Sequence, residues 1–70
     1  MAADFHEIKK LVETGDVCEI RYTGRACELI TVISNIVHCN VEKGVIVLPN
    51  DRHIRVLDIV SIVPITKAHP

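Results

Sequence analysis

Twenty of the 70 residues are Ile or Val. Branching at Cβ stiffens the side chain and suits pleated, half-covered backbone better than helix. Most of the structure therefore has to be strand. The chain is also short. Seventy residues make one domain, and a domain of this size buries only about 60% of its unfolded surface. Such chains need a staple, an unusually apolar core or a partner subunit. Apolar residues make up 49% of the sequence. Some of that surface is expected to stay outside a single core, where it favours self-association or docking on a partner.

One helix is expected first, over about residues 4–14, in "DFHEIKKLVETG". Asp4 can accept hydrogen bonds from first-turn amides, and Glu7 stands at capping-box spacing. Phe5, Ile8, Leu11 and Val12 recur at intervals of three and four, which makes one apolar stripe. Gly15 supplies a left-handed stop. Ten residues form a marginal helix unless the stripe packs on something.

The period then changes. In "DVCEIRYTGR", Cys18, Ile20 and Tyr22 alternate with Glu19 and Arg21, a strand with one wet face. A turn is expected at Thr23-Gly24-Arg25. "ACELITVIS" reads as a longer strand, apolar on both sides in its second half, of the kind that bends at a barrel corner, with Asn35 at the bend or turn. "IVHCNV" and "VIVLP" flank "EKG", where Gly44 closes a turn or forms a bulge. One bulged strand or two strands both fit; a strand pair broken near Gly44 is preferred.

Leu48-Pro49-Asn50-Asp51 is a turn in which Pro presets one dihedral and Asn tolerates the next. After it, Arg52, Ile54 and Val56 share one side, and His53 and Arg55 the other. Leu57-Asp58-Ile59 is expected to form a short link or tight helical turn. "IVSIVP" is the last strand, ended by Pro64. A loose tail is expected over 65–70. Strands thus fall within 16–64, and the predicted fold is α+β, mainly β. An N-terminal helix would plug one end of a strongly bent, five-stranded antiparallel small barrel, whose closure hides edges and aliphatics together.

Chemistry is harder to find. The net charge is −1, with eight Lys and Arg against nine Asp and Glu. Phosphate backbones need clustered cations and stacking platforms, so nucleic-acid binding is expected only from an oligomer. Cys18, Cys27 and Cys39 are an odd set without Cys-x-x-Cys spacing. With no signal peptide or apolar run of membrane-spanning length, they read as reduced thiols in a cytoplasmic protein. His38 and Cys39 are adjacent, and neighbours on a strand point to opposite faces, which argues against a nucleophile and its base. His6, His38, His53 and His69 share no ligand spacing. Neither a metal, a cofactor nor an enzymatic activity is expected.

Surfaces remain. His53 and Arg55 project together, with Arg52 and Arg25 near a rim. They form either a plain solvated strand face or a face for RNA or a partner. Asp4, Glu7, Glu13 and Asp16 bracket the helix; capping and dipole compensation account for Asp4 and Glu7 but not for Glu13.

The helix, the bent strand "ACELITVISN" and the closing "IRVLDIVSIVP" together resemble the Sm-like small barrels, which include the bacterial RNA chaperone Hfq. Hfq-type chains carry a Lys-His pair before the last strand; this chain has Leu57-Asp58 there, which leaves out the family's uridine contact. "DFHEIKKL", "SNIVHCNVE" and "DRHIRVLDIVSI" are similar to stretches of the Rof family of Rho-binding antiterminators, over most of residues 4–62. The last is similar to its Arg-x-Leu-Arg-Leu-Asp-x-Ile-x-Ser pattern. That resemblance implies a protein that docks on the RNA-binding domain of termination factor Rho, blocks RNA loading and reduces termination. The family does this with acidic surface around the first helix, which by position implies Asp4, Glu7 and Asp16. The chain lacks the family's Cys-Asp-Asp-Tyr-like lead-in and is only weakly acidic. The alternative is an Sm- or Hfq-like oligomer that repeats the Arg25, Arg52, His53 and Arg55 face and binds RNA.

Overall fold

A computed structural model describes residues 4–65. Of the tail expected over 65–70, residues 66–70 lie outside the described part, and Ile65 donates to the Val17 carbonyl at 2.8 Å. Helix α1 spans Phe5–Thr14, followed by β1 (Cys18–Thr23), β2 (Leu29–Ser34), β3 (His38–Asn40), β4 (Val45–Val47), β5 (His53–Arg55), a single 3-10 turn (Val56–Asp58) and β6 (Ile59–Pro64).

The ends of α1 are built as the sequence requires. The Asp4 carboxylate accepts from the His6 amide at 3.0 Å, and Gly15 adopts φ 72° while donating to the Leu11 carbonyl at 3.0 Å. The stripe faces the core: Ile8 is buried, and Phe5, Leu11 and Val12 pack on the buried cluster. The helix lies against β3.

The strands form two antiparallel three-stranded sheets, ordered β2-β1-β6 and β3-β4-β5. The fold is α+β and mainly strand, as expected. Among the described residues there are six strands where five were expected, and no ladder joins the two sheets into a closed cylinder. The reason lies at 35–37, where the bent strand interrupts its pairing. Ile36 turns into the core, and Val37 then donates to the Val47 carbonyl at 2.9 Å, starting the second sheet. The chain returns through the 3-10 turn. Val56 donates to the Gly44 carbonyl at 2.8 Å, and β6 then pairs with β1. Nine buried residues fill the space between: Ile8, Cys18, Ile20, Ile36, Ile46, Leu48, Ile54, Val56 and Ile59.

Two turns differ in detail from expectation. The β1–β2 turn runs to Glu28, closed by Gly24 N–H to the Glu28 carbonyl at 2.8 Å, and its left-handed residue is Cys27, φ 65°. The β4–β5 turn places its left-handed residue at Asp51, φ 64°, one beyond Asn50. The strand pair breaks near Gly44, as preferred from the sequence: Gly44, φ 68°, closes the β3–β4 turn, while the Asn40 side chain accepts from the Lys43 amide at 3.1 Å. A register shift does occur elsewhere. Between Arg21 and Tyr22 the β1–β6 pairing skips Val60, which bends the sheet.

Candidate partner-binding surfaces

A groove opens between the β1–β2 turn and β5. Tyr22, Thr23, Gly24, Arg25, Glu28 and His53 contribute to its walls, and it encloses about 770 Å³. Of the four basic side chains singled out from the sequence, Arg25, His53 and Arg55 line this groove. Arg52 enters differently: its Nη1 donates to the Tyr22 hydroxyl at 3.0 Å, tying the β4–β5 turn to β1. Neither the phenol contact nor the convergence is readable from spacing, because both depend on how one sheet sits over the other.

The four side chains are not equivalent. Arg55 forms a two-point fork on Asp58, with Nε–Oδ2 at 2.9 Å and Nη2–Oδ1 at 3.1 Å. The hydrogen bond to Asp58, and then its charge, raise the Arg55 pKa further above its ordinary value. Arg55 is thus neutralised locally and closes the 3-10 turn, whose Asp58 carbonyl also accepts from the Thr23 hydroxyl at 3.3 Å. His53 Nε2 stands 3.5 Å from Asp51 Oδ1. Arg52 meets a neutral hydroxyl, and Arg25 has no carboxylate within salt-bridge distance among the described residues. Glu28 is held aside. It accepts from the Ala26 amide at 2.9 Å and folds over Gly24, where an added Cβ would lie 2.7 Å from the carboxylate. Two guanidinium charges are therefore available on this rim, and a third is not.

The acidic set is dispersed. Asp4 and Glu7 stand at the start of α1 and Asp16 beyond its end, and ten helical residues separate the ends by about 15 Å. All three are exposed. Between them, Lys9 and Lys10 balance Glu7 and Glu13, so the helix itself carries no net charge. Leu57 is 85% exposed to solvent and Asp58 is engaged by Arg55.

The thiols lie apart from these surfaces. Cys18 is buried and donates to the Asp16 carbonyl at 3.5 Å; burial, and then the Asp16 charge, push its pKa up. Burial also raises Cys39, against a smaller lowering by Lys9. Cys27 is exposed. Among the described residues no three His, Cys, Asp or Glu side chains converge on a metal-sized site, and no helix is long and apolar enough to cross a membrane.

No family model, curated protein or solved structure matches the chain.

Proposed function

We propose that this chain is a non-catalytic regulatory binding module of the Rof kind, which docks on Rho in the cytoplasm and reduces termination. The two sheets are read as halves of one Sm-like small barrel, with 35–37 as the bend of its long strand. The observation that carries the reading is the Arg55–Asp58 fork. It falls within "DRHIRVLDIVSI", one of the three stretches that resemble the family. There it shapes the 3-10 turn that returns the chain from the second sheet to β1. Asp4, Glu7 and Asp16 are the proposed contacts, as exposed carboxylates able to meet a basic RNA-binding surface and set encounter rate and register. Their spacing along α1 calls for an extended partner surface rather than a single cation pocket. The test is Rho's RNA-dependent ATPase activity. Micromolar excess of this protein lowers it if the reading is right; unchanged activity rejects the Rho-specific version.

A second reading has its own support in the rim. Arg25 and Arg52 carry charges that no described carboxylate neutralises, and Tyr22 offers an aromatic ring beside them. Repeated around an oligomer, two such charges per subunit would sum into a single-stranded RNA site. That version requires a multimer whose RNA affinity falls steeply with salt. A monomer indifferent to RNA rejects it.

A further inference from the structure

The outward face of the β2-β1-β6 sheet has no part in either reading. Because Cys18 and Ile20 point into the core, the alternate β1 residues Glu19, Arg21 and Thr23 point out, and so does Val17 just before the strand. Ile33 and Val63 flank Glu19, Thr31 and Ser61 flank Arg21, and Leu29 sits opposite Thr23. Ile65 donates to the Val17 carbonyl at 2.8 Å, which extends the ladder by one rung. The skipped Val60 lies near the Leu29 end. Six aliphatics, Val17, Leu29, Ile33, Val60, Val63 and Ile65, are between 42% and 61% exposed. Together they present roughly several hundred Å² of apolar surface, the size that marks an interaction site on a small protein.

The centre of the face selects its occupant. Glu19 and Arg21, 3.6 Å apart, are one charge of each sign flanked by aliphatics. A polyanion meets Glu19 there and a polycation meets Arg21. A second copy meets both correctly in one orientation. Turned about a two-fold axis across the strands at Ile20, each Glu19 lies over the other copy's Arg21. The Val17–Ile65 end of each copy then covers the Leu29–Val60 end of the other. An axis along the strands instead stacks Glu19 on Glu19. Edge-to-edge pairing through β6 is also disfavoured. The Ile65 amide points to β1, so by alternation position 64 faces the open edge, where Pro64 has no N–H to offer.

We propose that the chain forms a two-fold dimer by stacking these faces, independently of the function proposed above. Three strands bury an area at the small end of specific interfaces, below about 1,200 Å² in total, which places the dimer in the weak, micromolar class. Sedimentation equilibrium of the full chain tests it, from about 5 to about 500 µM, a range chosen to bracket that class. The average mass is expected to rise from one chain toward two. Ile33→Glu, on an exposed position and with folding checked by circular dichroism, should weaken association at least about tenfold. Arg21→Glu and Glu19→Arg should each be monomeric alone and associate when mixed, because each copy then carries one sign. A wild-type monomer across the range, a mass beyond two chains, a dimer indifferent to Ile33→Glu, or a mixture that stays monomeric overturns the proposal.

Discussion

Ile20 and Ile46 are completely buried, one in each sheet, and each touches the same cluster. Truncating either to Ala removes transfer energy and leaves a cavity, at a cost of about 2–5 kcal/mol. A domain of this size has little more than that in total. Urea unfolding of Ile20→Ala should therefore show a large fall in midpoint or a chain already unfolded in buffer; a shift indistinguishable from zero would mean that the two sheets do not share one core. Cys18 gives a pH test. Its folded pKa is raised above the ordinary value of 9.0. The folded state thus holds the thiol proton more tightly than the unfolded state. The contribution to stability is complete below about pH 9 and is lost as pH rises through the folded value. The wild type should lose urea resistance above pH 9 more steeply than Cys18→Ala, and parallel curves would contradict the burial. These residue-level facts were partly legible: the alternation of Cys18, Ile20 and Tyr22 identified the inward face. The partners of Arg52 and Arg55 were not, because hydrogen bonds to Tyr22 and Asp58 require the fold to be known first.

At the scale of elements, α1 was fully legible, since its cap, its stripe and its stop are all local signals. Its stability should be correspondingly local. Asp4→Ala removes the acceptor for the His6 amide and should cost about 0.5–2 kcal/mol. Gly15→Ala meets no atom within 4 Å, so its penalty, about 1 kcal/mol, comes from the left-handed backbone alone. Thermal unfolding followed by circular dichroism checks both; a neutral Gly15→Ala would show that the helix does not end as described. The strands were legible in number and place only where turns use common residues. Two left-handed positions fall on Cys27 and Asp51 rather than on Gly or Asn, and neither carries a strong signal. The break of the long strand at 35–37 was marked by Asn35, yet the turning-in of Ile36 depends on the opposite sheet.

For the whole molecule, the balance of apolar surface sets the behaviour. Nine aliphatic or thiol residues are buried, and six aliphatics stand half exposed on one sheet face. The composition signalled this excess, but only strand register shows where it gathers. The candidate surfaces are likewise distributed by topology: carboxylates at the two ends of α1, guanidinium groups across a groove, and a mixed pair in the centre of the outer face. The most direct measurement is a binding titration of this protein against Rho at low salt, in parallel for the wild type and a variant carrying Asp4→Asn, Glu7→Gln and Asp16→Asn. Docking on Rho through the α1 carboxylates predicts saturable micromolar or tighter binding by the wild type and a clear loss in the variant. No detectable binding by the folded wild type, or equal binding by both chains, contradicts it.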